Sequence, residues 1–294
     1  MVASKVMIGV CAYNEENNIR NLLVNLVAEQ NLPKNCRILV VCSGCTDKTP
    51  LVVKEFGKRD ERIEAIIEES RRGKANALNN IFKIAKESAD VLVLVNADAL
   101  PERGSIAKLL SKLATSEAGA VFAQPVPFEV SRGVCYGIAS VIWRLHHAIS
   151  LFQEPKLSAE LCAIRASCLE EIPEKVATDE PYVELAIRKQ GYDILYAPEA
   201  LVYIRVPTNT VDLLKQRRRI VLGHMQLQNA TRFKVSTSSF VNVLRAMPTL
   251  ELDEFLYVLL GGIVEVIAYS QARVALSKET LHIWEPIKST KVQL

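Results

Sequence analysis

The chain has 294 residues, with 36 Lys and Arg against 33 Asp and Glu for a formal net charge of +3. That excess is too small and too dispersed for a nucleic-acid-binding surface. With 49% apolar and 23% charged residues, the composition excludes a disordered chain and allows one large α/β domain or two ordinary ones.

In chain order, the first half alternates strand and helix. Val6–Ala12 is a short apolar run of the kind buried on both faces of a sheet. Asn14 or Asn17 can cap the helix that follows, in which Ile19, Leu22, Leu23, Leu26 and Val27 keep helical spacing. Residues 38–42 are a second strand ending in the turn residues 43–47, and a helix leads from there to a third strand around 63–67. After the basic loop 71–74, Ala77, Leu78, Ile81 and Ile84 mark another helix. Val91–Val95 is the cleanest buried strand in the chain. This alternation predicts a Rossmann-like, mostly parallel sheet with crossover helices. Ligands on such sheets bind beyond the carboxyl ends of the strands, which points at residues 13–15, 43–47 and 96–98.

The second half reads differently. Residues 133–152 are amphipathic, with Val134, Ile138, Val141, Leu145 and Phe152 in one stripe and Ser140, Arg144 and His147 opposite. Residues 160–165 read as a strand, and 180–189 as a helix closed by Gly191. Residues 194–196 and 201–206 read as two short strands. A helix over 210–228 carries Gln216, Arg217, Arg218 and Arg219. The last helix, over 252–276, is strongly apolar, with Glu254, Gly261, Gly262, Glu265, Tyr269 and Arg273 expected on one protein-facing side. Glu265 and Arg273 interrupt it, so the hydropathy case for a spanning helix is incomplete. No signal-peptide h-region precedes the first strand. The seven cysteines are irregularly spaced, and Cys11, Cys36 and Cys162 sit in apolar runs, a pattern that suits a reducing, cytosolic compartment. Cys42 and Cys45 form a CxxC pair, but a zinc or redox site lacks the second pair or nearby His it needs.

Several residues carry chemistry. A nucleotide diphosphate needs a hard cation, and one or two carboxylates suffice because phosphate and water complete the shell. Asp98, past the end of a buried strand, is therefore a candidate ligand for Mg2+ or Mn2+, against the plainer reading that it caps a turn. Lys74 follows Gly73 at a helix start, where charge and dipole together favour a phosphate or sugar. This is no Walker A loop, since Ala75 stands where Ser or Thr would bind metal, and no GxGxxG occurs. Asp179 and Glu180 open a helix, either complementing its dipole or removing a proton from an acceptor hydroxyl. The basic run 216–219 cannot face one way on a helix, so only one or two of its side chains can reach a diphosphate.

Taken in order, these segments resemble the family 2 glycosyltransferases, enzymes of the GT-A fold. AYNEE at 12–16 is similar to the family's opening nucleotide-binding turn, SGCTDKT at 43–49 to its GSTDGT segment, and GKANALN at 73–79 to its GKAxALN segment. NADALPE at 96–102 resembles the DxD region, residues 177–203 the TED-helix-GY-PEA stretch, and KQRRRI at 215–220 the QxxRW site of processive members. The resemblance runs over about residues 5–223. It implies an α/β GT-A nucleotide-diphospho-sugar transferase domain over 1–248 and a C-terminal apolar helix with its tail, membrane-associating or packing, over 249–294. Ala12, Tyr13, Glu15 and Asp47 are then expected to hold the nucleoside. Lys74 approaches the base or diphosphate, Asn96 belongs to the nucleotide-sugar-binding set, and Asp98 takes the metal. Glu180 or Asp179 is the base, and Arg217, Arg218 and Arg219 brace the leaving diphosphate.

Four departures bear on these expectations. Cys42 and Ser43 replace acids often paired after the second strand, Asn96 replaces the first Asp of DxD, the acid pair is inverted, and Ile220 replaces the Trp of QxxRW. The last points away from a processive polysaccharide synthase. The expected reaction is an inverting transfer from a nucleotide-diphosphate sugar to a lipid or lipid-linked saccharide acceptor. Its place is the cytoplasmic face of the cell membrane, with Trp284 and Lys288 as interfacial anchors. Two rivals remain at this level. A sugar-phosphate nucleotidyltransferase calls for a Gly-rich, Arg-containing loop where AYNEE stands, and a catalytically silent nucleotide-binding scaffold at the membrane is favoured only by Asn96 and the inverted acids.

Overall fold

The computed structural model describes residues 4–128, 133–152, 155–276 and 286–291. Its first half consists of β1 (Val6–Ala12), α1 (Glu16–Glu29), β2 (Arg37–Ser43), α2 (Thr49–Gly57), β3 (Ile63–Glu68), α3 (Lys74–Ser88) and β4 (Val91–Val95). The strands β3, β2, β1 and β4 lie side by side and all pair in parallel. Their apolar runs are buried on both faces. Ile8, Val10, Ile38 and Val40 pack with Leu22, Leu23 and Leu26 of α1 on one side. Met7, Leu39, Val41 and Leu92 pack with Leu78, Ile81 and Phe82 of α3 on the other. Gly9 sets how close α3 comes, because a Cβ there would stand 2.6 Å from Ile81 Cγ2.

The second half adds β5 (Ala99–Pro101), α4 (Ser105–Ala114), β6 (Ala120–Pro127), α5 (Val134–Phe152), β7 (Leu161–Arg165), α6 (Glu180–Lys189), β8 (Ile194–Ile204), α7 (Thr210–Thr231), α8 (Phe240–Ala246) and α9 (Phe255–Leu276). The whole sheet runs β3-β2-β1-β4-β7-β6-β8-β5. Here β7 enters antiparallel to β4 and β6, β8 pairs in parallel with β6, and β5 is antiparallel to β8. The parallel half is as the alternation predicts, and the reversed β7 is an addition.

The two short strands expected at 194–196 and 201–206 are one strand. Its register against β6 jumps from Ala197 opposite Ala123 to Leu201 opposite Gln124. Pro198 lies in the extra stretch, where a residue without an N–H costs the ladder no bond.

The helical layer shows two further corrections. On α5, Ile138 and Val141 are buried but Val134 and Phe152 are exposed, and His146 is buried in their place. On α9, the packed face is Gly261, Ala268, Ala272 and Ala275, with Glu265 half-buried beside it. Gly262, Tyr269 and Arg273 lie outside it. A stripe stepped every four residues slides off a face of period 3.6 by roughly 40° per step. The small side chains bring α9 close to Ala177 and Leu222, the latter on α7. Tyr257, Leu260 and Val264 pack on Cys135 and Ile138 of α5. Leu256, Leu259, Ile263 and Val266 remain mostly exposed, as do Phe240 and Val241 of α8. Among the described residues, 252–276 is the one helical stretch long and apolar enough to cross a membrane by length and composition. Trp284 lies outside the described residues.

Candidate active site

A cleft of about 220 Å³ opens beyond the carboxyl ends of β1 and β4, where the parallel sheet predicts a ligand. Ala12, Tyr13, Glu15, Lys74, Asn96 and Asp98 all line it. The turn after β1 is shaped by Asn14, whose φ of 53° is left-handed, a region Asn tolerates better than most residues. Its side chain donates to Thr46 Oγ1 at 2.9 Å and accepts from Thr46 N at 2.8 Å. Gly44, also left-handed at φ 61°, lets the backbone of Arg71 approach, since a Cβ there would sit 2.3 Å from Arg71 N. That approach places the Arg71 guanidinium 3.8 Å above the Tyr13 ring.

Asp47 does a different job from the one expected. Its carboxylate accepts from Thr49 N at 2.9 Å, Thr49 Oγ1 at 2.6 Å and Glu16 N at 3.1 Å. It thus ties together the starts of α1 and α2, and it is not among the residues lining the cleft. Asp47 holds the Tyr13 turn in place from behind.

Lys74 is the hub of the polar floor. Gly73, at φ 96°, caps α3 and turns Lys74 inward. Its Nζ donates to Asn96 Oδ1 at 3.1 Å and lies 3.1 Å from Asp179 Oδ2, an ion pair without hydrogen-bond alignment. Burial works against the ammonium charge, but Asp179 and then Glu180 outweigh it and hold its pKa above the usual lysine range. Glu180 lies 3.9 Å from Lys156. Burial alone would raise its pKa, yet Lys156 and Lys74 prevail and bring it down to about 2.

Glu160, just ahead of β7, belongs to no motif in the sequence. It accepts from Asn96 Nδ2 at 2.6 Å, and its own carbonyl accepts from Asn96 N at 3.2 Å. The Asn at 96 thereby bridges a lysine and a carboxylate, which an Asp could not do without repelling Glu160. Burial first and Asp98 second raise Glu160 to about 7. The same two causes, in the same order, raise Glu15 to about 7 against the pull of Lys291. Asp98 is therefore flanked by two carboxylates that its charge disfavours, a donor set of hard oxygens that suits Mg2+ or Mn2+. Among the described residues no three His, Cys, Asp or Glu side chains converge as a self-sufficient cage, so a cation at Asp98 also needs oxygens from a ligand.

Of the basic run on α7, Gln216 and Arg219 line the cleft. Arg217 instead forms a close ion pair with Glu265 of α9, and Arg218 is not in the lining. The brace expected from three arginines is reduced to Arg219, as the 100° step of a helix demands. Arg205, in the loop after β8, and Lys291 also line the cleft; neither carried a motif. All seven cysteines are free thiols, and Cys45 Sγ donates to Ala12 O at 3.5 Å.

Residues 7–167 match the model for glycosyl transferase family 2, more than half of the chain. The chain belongs to that family. Among curated relatives it is 25% identical over 233 residues to the "Probable glycosyltransferase YdaM" of Bacillus subtilis (strain 168), covering 75% of this chain and 55% of the relative. The chain spans about half the length of the curated relatives it matches. Among solved structures it superimposes with a TM-score of 0.65 on the mannosyltransferase PcManGT from Pyrobaculum calidifontis, in complex with GDP-Man and Mn2+, at 22% identity over 98% of this chain and 86% of that one. It matches S. aureus TarS 1–349, in complex with UDP-GlcNAc, with a TM-score of 0.53 at 14% identity over 93% of this chain and 92% of that one. These likenesses establish the GT-A fold. The family match also removes the nucleotidyltransferase alternative.

Proposed function

We propose that this family 2 glycosyltransferase moves a sugar from a nucleotide-diphosphate donor to an acceptor hydroxyl, with inversion at the anomeric carbon. One observation carries the reading: the cleft gathers cations (Lys74, Arg205, Arg219) and the carboxylates Glu15, Asp98 and Glu160, with Asp179 buried against Lys74. The donor's diphosphate supplies the negative charge that balances Lys74 and Arg219, and the Tyr13 turn receives the nucleoside. A divalent cation held by Asp98, with Glu160 or Glu15 beside it, would offset charge on the departing diphosphate. Mn2+ in the PcManGT structure supports that choice.

The acceptor oxygen bonds to the anomeric carbon as the carbon–oxygen bond to the diphosphate breaks, and the nucleoside diphosphate leaves with that electron pair. Asp179 or Glu180 takes the hydroxyl proton. Glu180 at about 2 is a weak base in the free protein. A diphosphate engaging Lys74 offsets part of the positive charge that, after Lys156, holds Glu180 low, and so raises the basicity of Glu180 at the moment it is needed.

We propose that the acceptor is membrane-borne. The exposed row Leu256, Leu259, Ile263 and Val266 on α9 forms an apolar face that suits the interfacial zone of a bilayer. Glu265 is drawn inward to Arg217, away from hydrocarbon. The proposed acceptor is a lipid or lipid-linked saccharide at the cytoplasmic face, with residues 1–248 as the catalytic unit and the exposed row on α9 as the membrane-facing part. The test is transfer from radiolabelled UDP- and GDP-sugars to membrane lipid extracts, comparing wild type with Asp179→Asn and Glu180→Gln. Label reaches lipid in the wild type, and at least one variant loses it by about 10²-fold or more. Two variants at near-full rate would sink the acid-pair assignment.

A further inference from the structure

Residues 286–291 lie against the donor cleft: Pro286, Ile287, Thr290 and Lys291 form part of its wall. The segment is fastened through its last three residues. Ser289 N donates to Asp212 Oδ2 at 3.0 Å near the start of α7. Next to it, Asn18 Nδ2 donates to Thr290 O at 3.3 Å and Asn17 Nδ2 to Lys291 O at 3.0 Å. Thr290 is buried beneath it.

The Lys291 ammonium spends all three of its protons on one turn. It donates to Tyr13 O, to Asn14 O at 2.9 Å and to Glu15 Oε1 at 2.6 Å. Three donors on three convergent acceptors is the full capacity of a lysine. The acceptors bracket Asn14, the one non-glycine residue of that turn with a left-handed backbone. Two carbonyls aimed at a single cation fix the peptide planes on either side of it, and with them the direction of the Tyr13 ring. The ion pair is largely enclosed, with side chains 20% and 11% exposed, so solvent screens it little.

We propose that Lys291 is a positioning residue of the donor site, a clamp from the C-terminal segment that holds the turn 13–15 in its nucleotide-receiving shape. The proposal rests on reading the cleft as the donor site. Lys291 acts through the turn and takes no part in bond making.

The experiment measures the full chain as wild type, Lys291→Met and Lys291→Arg. The probe is whichever of UDP, GDP, dTDP and CMP, each with Mn2+, stabilises the wild type most. Charge-assisted hydrogen bonds of this kind correspond to about a tenfold change in affinity. Lys291→Met is expected to weaken nucleotide binding by that factor and to melt a few degrees lower, since three charge-assisted hydrogen bonds are lost. Lys291→Arg falls in between, because its planar fork keeps the charge but cannot address three acceptors on one turn. Equal affinity in wild type and Lys291→Met overturns the proposal, and tighter binding by Lys291→Met overturns it in favour of an inhibitory strap. Hydrogen exchange without nucleotide separates the clamp from the donor reading. The amides of Glu15 and Glu16, bonded to Thr49 Oγ1 and Asp47, should exchange faster in Lys291→Met while those of β6 do not. Unchanged exchange there overturns the clamp by itself. Faster exchange in a protein that binds none of the four nucleotides overturns the donor reading instead.

Discussion

Gly223 on α7 packs directly against Thr178, the residue before the proposed acid pair. A Cβ built there would stand 2.0 Å from Thr178 Oγ1, 2.8 Å from Thr178 Cβ and 2.9 Å from Thr178 Cγ2. Rotating the threonine exchanges one of these contacts for another, so the backbone itself must yield. Thr178 directly precedes Asp179, and α7 carries Arg219, so any separation moves the acid pair away from the cleft. Overpacking of this kind costs about 1–3 kcal/mol, a few degrees of melting temperature for a domain of this size. A displacement of about 1 Å at reacting groups can cost 10²-fold in rate. Gly223→Ala should therefore melt a few degrees lower and lose about two orders of magnitude in turnover, measured by scanning calorimetry and sugar transfer. Gly262→Ala is the matched control: a Cβ there meets nothing within 4 Å, and Ala is the better helix former. Wild-type rate and stability in Gly223→Ala would refute the idea that α7 positions the acids through this contact.

Two further outcomes follow from the electrostatics. His146 is buried, and burial first and Lys156 second hold it neutral down to about pH 3, whereas in the unfolded chain it protonates near 6.5. Between those values the unfolded state binds the extra proton, so the folded state loses about 1.4 kcal/mol per pH unit as the pH falls. Glu15 and Glu160, raised to about 7, slope the opposite way as pH falls from 7 towards 4.5. The check is thus the difference between wild type and His146→Phe in urea melts from pH 7 to 4: a gap that does not narrow in that direction counts against the neutral imidazole. In Asn96→Asp, the 2.6 Å hydrogen bond to Glu160 becomes a clash of carboxylates, costing about 1–3 kcal/mol without metal. Mn2+ should recover the melting temperature of that variant more than that of wild type, and equal responses to Mn2+ would show that the carboxylates do not share a cation.

Much of the fold is legible from sequence because β1, β2 and β4 are apolar on both faces and can only be interior strands. What stayed hidden depends on contacts between distant segments. Residues 160–165 read correctly as a strand, but nothing local tells that the strand runs antiparallel beside β4, which is what brings Glu160 to Asn96. Arg205 and Lys291 have no motif, since each enters the cleft from a loop or tail whose path is set by tertiary packing. Asp47 was legible as a site residue but not in its role, because a carboxylate that caps two helix starts and one that meets a ligand look alike in sequence. The limit of one or two useful arginines on α7 followed from helical geometry alone, whereas the pairing of Arg217 with Glu265 required knowing where α9 lies. The same applies to α9 itself, where the apolar content was plain and the phase of its packed face was not.

The most direct test of the account is thermal stabilisation of the purified protein by UDP, GDP, dTDP and CMP, with and without Mn2+ or Mg2+. A ligand at 100 times its Kd adds about 2.7 kcal/mol. The expected result is a metal-dependent rise in melting temperature with one nucleotide, lost in Asp98→Ala. No shift with any of the four, or a full shift in Asp98→Ala, would contradict it.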